Sequence, residues 1–349
     1  MAYVFDCALL LACALASSAL KFVSQTIRLS SVIHKVVKKL DRGKTKLPPG
    51  LPLVSPWEIV SDLVVRINGL NPGMHTLQGT NCYLVGKGKK RILVDTGESV
   101  DGFIDLLLDV MRKVGCEGLD AILLTHWHTD HVGGVIDVLQ ALNGQSIPVF
   151  KRTGPKAEAF DYEGIEDGQL FRTDGATLEA LHTPGHTEDH VSFLLREEEA
   201  LMTGDMILGC GSAIFDDFES YMASLRRVLA ISSARDGGFT RLYCGHGPVV
   251  DKAEEKIAFY IAHRQQREDQ IMKTLTAAAG STLSSFQITL QVYGFLAIPL
   301  LVSAHYNVLH HLSKLVSEGR AEGGITPCSF RLSPPLRPNR ATKPRGSRN

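Results

Sequence analysis

The stretch His126-Trp-His-Thr-Asp-His131 sets three imidazoles and a carboxylate between the apolar AILL (121–124) and the small-residue run VGGV (132–135). Four such groups, flanked by residues that want burial, are costly to place in an ordinary core. The chain must therefore deliver them to a place where something compensates them, and a metal ion does so. His126 and His128 alternate along an extended segment and project to one side. Asp130 and His131 lie past a turn and can face a second point.

Further donors stand where apolar runs end. Asp95 closes RILVDTG (91–97), His186 sits in HTPGHTEDH (182–190), Asp205 in ALMTGDMILG (200–209) and His246 in LYCGHGP (242–248). The last three each read as a strand-to-loop junction, and a rigid sheet positions short loops well. His126, His128, Asp130, His131, His186, Asp205 and His246 make seven ligand candidates. One zinc takes about four ligands. Seven divide over two ions if one, most economically the carboxylate of Asp205, touches both. Asp95 is read as orienting a ligand histidine through its other nitrogen. His190, four residues past His186, is read as supporting the site rather than ligating. His75, His182, His263, His305, His310 and His311 are read as ordinary hydrogen-bonded histidines. Two divalent cations are expected, with zinc favoured by the histidines; mixed His/Asp sites also accept manganese or iron.

The surrounding pattern is α/β. LVVRINGL (63–70), TNCYLVG (80–86), RILVDTG (91–97) and LDAILLTH (119–126) read as strands. Residues 101–115 carry apolar side chains at 103, 104, 107, 108 and 111, the spacing of one helix face. Strands and helices alternate to about residue 250, which predicts sheets covered by helices. Long helical patterns follow at 252–279, 286–293 and 302–318, suiting either a small winged-helix-like appendage or helices laid on the main domain. The resulting division is a targeting or anchor segment and linker in 1–50, a hydrolase domain in 57–250, a helical, winged-helix-like region in 251–328, and a disordered basic tail in 329–349 with four prolines.

Charge is uneven along the 349 residues. Residues 1–46 hold eight Lys/Arg against Asp6 and Asp41, and 329–349 hold six with no acid, so the body is acidic. An acidic body argues against a broad phosphate-binding surface, although bound cations change the field locally. The apolar run at 7–20 spans about 14 residues, short of the roughly 20 a spanning helix needs. The basic, Ser-containing 21–46 suits mitochondrial import; membrane contact through 7–20 is the alternative. Seven scattered cysteines with no CxxC pair suit reduced, mostly buried thiols.

HxHxDH with separate downstream His, Asp and His resembles the metallo-β-lactamase superfamily. The resemblance implies an αββα sandwich with a binuclear metal site at one edge, and favours the winged-helix-like reading of the C-terminal helices. NPGMHTLQGTNCYLVGKGKKRILVDTGE (71–98), THWHTDHVGG (125–134), TPGHTEDH (183–190) and the pair His263-Arg264 resemble its beta-lactamase-like protein 2 branch, described as single-strand-specific mitochondrial endoribonucleases. Carried over, one ion would be held by His126, His128 and His186, the other by Asp130, His131 and His246, with Asp205 touching both. Asp130 would also orient the attacking water, and His190 is a proposed donor to the leaving or non-bridging oxygen. The leading expectation is an endoribonuclease on single-stranded RNA. The alternatives are a thioester hydrolase of glyoxalase II or polyketide-releasing type acting on an acyl thioester, and a non-catalytic RNA-binding or assembly protein that keeps a metal site for stability.

Overall fold

A computed structural model describes residues 51–142, 146–154, 157–296, 298–324 and 329–333. The expected targeting or anchor segment, with its apolar run at 7–20, lies outside the described residues. Among the described residues no helix is long and apolar enough to cross a membrane.

Two sheets form the body. The first runs β1 (Trp57–Ile59), β2 (Val64–Asn68), β3 (Asn81–Val85), β4 (Lys90–Val94), β5 (Gly118–Leu124), β6 (Val149–Lys151) and β7 (Glu163–Gly164) in that spatial order. It is antiparallel through β4 and parallel from β4 to β7. The second has the order β12 (Arg241–Cys244), β11 (Ala200–Gly204), β10 (Val191–Leu195), β9 (Ala176–His182), β8 (Leu170–Thr173), with β11 and β12 parallel.

The period-two alternation of strand side chains assigns each face. Tyr83, Val85, Ile92, Val94, Ala121 and Leu123 point into the space between the sheets, where they meet Leu178, Ala180, Val191, Phe193 and Met202. Their neighbours Cys82, Leu84, Leu93, Ile122 and Leu124 face the other way. That outer face is covered by α1 (Phe103–Lys113), through Phe103, Leu107, Val110 and Met111, and by α3 (Val135–Ala141). Between β5 and α3 lies the single turn α2 (Thr129–Val132). The second sheet's outer face is covered by α4 (Phe218–Ser233) and the first half of α5 (Ala253–Ala277), through Tyr221, Leu225, Ile257 and Tyr260. Asp217 caps α4 by accepting from the backbone N–H of Ser220 at 2.7 Å. The four layers are the expected αββα sandwich.

A fourth apolar cluster lies beyond. The far end of α5 (Ile271, Leu275) packs with α6 (Ser285–Tyr293), α7 (Ile298–Ser317) and a small sheet of β13 (Leu283–Ser284), β15 (Ser329–Leu332) and β14 (Ala321–Gly324). Ser284 and Gln287 form a capping box that starts α6. One expectation is corrected here. Residues 329–332 are not part of a disordered tail: β15 pairs with both β13 and β14, and Phe330 is buried in this cluster. A single aromatic at the register that faces the helices outweighs the polar composition around it. The rest of the expected tail, from 334 on, lies outside the described residues. Cys82, Cys116 and Cys244 are buried and Cys210 half-buried, all as free thiols.

Candidate metal centre

The parallel pairs β4–β5 and β11–β12 end at the same edge of the sandwich, so their C-terminal loops meet. The edge is stitched across the two sheets. Asn81 donates from Nδ2 to the carbonyls of Cys244 and Gly247, and the Val191 N–H donates to Thr125 O at 2.8 Å. Close approach is needed here. A Cβ on Gly245 would lie 2.7 Å from Asp205 Oδ1, and one on Gly134 would lie 2.1 Å from the Thr96 carbonyl oxygen.

All seven sequence-derived ligand candidates are buried at this edge. His126 Nε2, His128 Nδ1 and His186 Nε2 converge, with separations of 2.9, 3.0 and 3.2 Å. Nitrogens on a tetrahedral zinc at about 2.05 Å stand roughly 3.3 Å apart, so the trio has the spacing of ligands around one point. Asp130 Oδ2 lies 3.3 Å from His131 Nε2 and 3.2 Å from His246 Nε2. Asp205 spans both groups. Its Oδ1 is 3.4 Å from His131 Nε2 and 3.3 Å from His246 Nε2, while Oδ2 is 3.6 Å from His186 Nε2.

The two sets are two candidate metal-binding sites, one of His126, His128, His186 and Asp205 and one of Asp130, His131 and His246. The donor chemistry fits a pair of divalent cations. His131 Nε2 and Asp205 Oδ1 are buried atoms with no hydrogen-bond partner among the described residues, and polar atoms are rarely left so without a ligand.

The far sides of the ligands are anchored, which fixes ring orientation and tautomer. His131 Nδ1 lies 2.7 Å from Asp95 Oδ2. Asp95 accepts from the Thr125 N–H at 2.8 Å and from the Thr125 hydroxyl at 2.9 Å. It does so from a left-handed backbone, φ 60°, a conformation that persists where the surroundings over-determine it. His186 Nδ1 lies 2.7 Å from the Ile214 carbonyl oxygen, and His246 Nδ1 lies 3.3 Å from that of Gly79. Thr125 Oγ1 is 3.0 Å from His126 Nδ1. Asp95 was legible in the sequence; Thr125 and the Ile214 and Gly79 carbonyls were not, since a hydroxyl or backbone oxygen carries no motif.

Electrostatics separates the two sets. Burial, then the neighbouring imidazoles, hold His126 well below the usual histidine range, so it is neutral and ready to ligate. Burial opposes charge on His131 too, but Asp130, Asp205 and Asp95 outweigh it and raise His131 well above that range. His246 follows the same pattern: burial lowers it, yet Asp205 and Asp130 raise it to about 10. Asp130 and Asp205 are held well below the carboxylate range by the opposing histidines despite burial. Protons on His131 and His246 stand where cationic charge belongs, and metal binding would displace them.

His190 requires a correction. It is fully buried, with Nδ1 2.9 Å from Thr183 Oγ1 and Nε2 accepting from the Asp205 N–H at 3.2 Å. An acceptor nitrogen aimed at the protein backbone has no proton for a substrate oxygen. The geometry gives His190 the job of holding Asp205 in place. Of the six histidines set aside, His75 lines the cavity described next, His182 reaches the Glu188 carbonyl oxygen, His263 stacks on Phe259, and His305, His310 and His311 lie on α7. None of the six belongs to either candidate set.

A cavity of about 650 Å³ opens over the edge. Its floor holds His128, Asp130, His186, Asp205 and His246; residues 71–77, 210–214 and 216 form its sides, and α7 its roof. No Lys or Arg is among the described residues lining it.

Face-to-face sheets with helices outside and a His/Asp-lined edge of this kind define a metal-dependent hydrolase. Residues 75–246 match the model of the metallo-beta-lactamase superfamily, and the chain belongs to that superfamily, in its beta-lactamase-like protein 2 group. It is 43% identical over 277 residues to the beta-lactamase-like protein 2 homolog of Caenorhabditis elegans, covering 78% of this chain and 91% of the relative. It is 38% identical over 236 residues to an atrochrysone carboxyl ACP thioesterase of a Cryptosporiopsis species, covering 68% of this chain and 69% of that one. The crystal structure of a beta-lactamase domain protein from Burkholderia ambifaria shares the fold, with a TM-score of 0.68 at 18% identity over 82% of this chain and 97% of that one.

Proposed function

We propose that the protein is a binuclear-metal endoribonuclease that cuts single-stranded RNA in mitochondria. The observation that carries the reading is Asp205, which lies between two ligand sets on the floor of a cavity of about 650 Å³. Two bound cations, zinc in this proposal, would supply hydroxide at neutral pH and neutralise charge growing on a phosphodiester. The chain's own residues do the rest. Asp130, which accepts from Thr80 Oγ1 at 3.3 Å and lines the cavity, orients the attacking water. Tyr293 lines the wall half-buried, with Arg267 over one face of its ring at 4.2 Å, and the other face would stack an unpaired base, which is how single strands are gripped without sequence preference. The basic residues after β15, from 334 on, would supply phosphate contacts, so binding should weaken steeply with salt.

A second reading has its own observation. Among the described residues the walls lack Lys and Arg and present Met74, Leu77, Leu208, Ile214 and Leu300, which suits an acyl thioester, and one relative is named as a thioesterase. Purified protein offered labelled single-stranded RNA in one arm, and S-lactoylglutathione and acyl thioesters in the other, separates the two. RNA cleavage abolished by chelator is the expected result. Chelator-sensitive thioester turnover with intact RNA would overturn the endoribonuclease reading. Mitochondrial import rests on the basic 21–46 segment and is tested by fusing residues 1–56 to a fluorescent reporter. A reporter that stays in the cytosol or enters the secretory route would refute it.

A further inference from the structure

We propose that the RNA strand leaving the cavity runs along one side of helix α5, with Lys256 and Arg267 on its phosphates and Phe259 stacked on a base. The inference rests on the endoribonuclease reading. No Lys or Arg is among the described residues lining the cavity, so phosphates flanking the scissile one have to meet their cations outside it. Two cations reach the walls from α5. Lys256 Nζ donates to the Gly209 carbonyl oxygen at 3.3 Å, between the wall residues Leu208 and Cys210. The Arg267 guanidinium lies 4.2 Å over the ring of Tyr293, itself a wall residue.

Helical spacing joins the two. Lys256, Phe259, His263, Arg267, Gln270 and Thr274 are three or four apart and so share one side of the helix, over roughly 27 Å. All six are exposed or half-buried. Phe259 is 55% exposed and stacks on His263, with centroids 5.8 Å apart and planes 26° from parallel. Burial, then Arg264 and Arg267, lower His263 to about 4, so it stands as a second neutral ring. The carboxylates of α5 are engaged elsewhere: Glu254 accepts from Ser232, Glu255 pairs with Lys252, Glu268 with Lys314 and Arg320, and Asp269 accepts from Gln265. Past Arg267 the stripe meets an open groove of about 480 Å³ between α5 and α6, with Lys273 and no acid among the described residues lining it. A lone exposed Phe on a helix is ordinary. Rings in register with cations are the means by which unpaired strands are held. Because this stripe starts at the cavity wall, its occupant is the substrate's own chain rather than a separate partner.

The test offers labelled single strands of about 4 and about 16 nucleotides, the limits of the site sizes such surfaces cover. The shorter has little strand to spare outside the cavity, so wild type should cut the longer with the higher kcat/KM. Phe259→Ala should lower the long-to-short ratio of kcat/KM about tenfold, within the range of one base stack, and Phe259→Tyr, which keeps a ring, should restore it. Lys256→Gln should flatten the fall of log kcat/KM with log salt on the long strand by about 0.7, one phosphate contact. Equal loss on both lengths with Phe259→Ala, or an unchanged slope with Lys256→Gln, would overturn the track while leaving RNA cleavage intact. Wild type that cuts neither strand would overturn the endoribonuclease reading and this inference together. Thermal midpoint and metal content of each variant separate misfolding from lost binding, and Lys256→Gln carries the test if Phe259→Ala does not fold.

Discussion

The cavity floor and the helix α7 that roofs it both carry buried histidines, yet only those of the floor form candidate metal sites. On the floor, His126, His128 and His186 aim their nitrogens at one point, and the opposite ring atoms of His131 and His186 are held by Asp95 and the Ile214 carbonyl. On the roof helix, His310 Nε2 and both nitrogens of His311 have no hydrogen-bond partner among the described residues. The nearest carboxylate to His311, Glu268, is 4.0 Å away and already engaged at 2.6 Å by both Lys314 and Arg320. Burial pushes His310 to about 4 and His311 to about 3, and His305 to about 4. Residue type and burial are thus shared. Convergence on a common point, with the back of each ring anchored, is what distinguishes a metal site.

The contrast can be broken at several points. The largest effect should come from Asp205→Ala, which removes the group common to both sets; metal content should fall well below two per chain, and turnover by on the order of 10³-fold. Retention of two ions in elemental analysis would refute the sharing. Asp95→Asn should follow, weakening metal affinity by about 10–100-fold through a mis-set His131; a chelator-competition titration reads it, and unchanged affinity would show that the ring needs no anchor. His190→Ala leaves the Asp205 N–H without an acceptor, at a cost of roughly 1–3 kcal/mol. Turnover should drop about tenfold together with metal occupancy. A loss of turnover at full occupancy would restore the proton-donor role.

The smallest effect concerns the roof. His305, His310 and His311 have folded-state values below the unfolded one near 6.5. The unfolded chain therefore binds more protons between those values, so stability is complete above about pH 6.5 and falls as pH drops toward about 4. The thermal midpoint should decline over that window by several degrees, and His311→Leu should flatten the decline. A midpoint equally steep in the variant would assign the acid sensitivity elsewhere.

The floor was largely legible in the sequence because its ligands follow apolar runs, and an apolar run that stops abruptly at His or Asp is a strand end. The same signal marked Asp95. It failed for His190, whose position near His186 suggested chemistry while its side chain turns to the Asp205 backbone. It failed also for the roof. Asn307 and Tyr306 come from a helix more than a hundred residues after most of the ligand candidates, and only tertiary folding brings them to the same cavity. Strand β15 was hidden among prolines and arginines because one buried Phe330 is too little signal to define a strand.

Helix α5 ties these regions together, with Ile257 and Tyr260 in the sandwich and Ile271 and Leu275 in the C-terminal cluster. Arg264 donates to the Ala213 carbonyl oxygen beside the His186 anchor, and Glu268, one turn on, grips Lys314 of the roof helix. A rod of this kind transmits angle as well as distance. One residue inserted between Arg264 and Glu268 would turn everything beyond it by roughly 100°, so the metal edge would survive while the roof swung off its opening. Under the proposed function, the helices over the cavity and the ligands beneath it could then be altered separately by a change of a single helical step, with α5 as the place to make it.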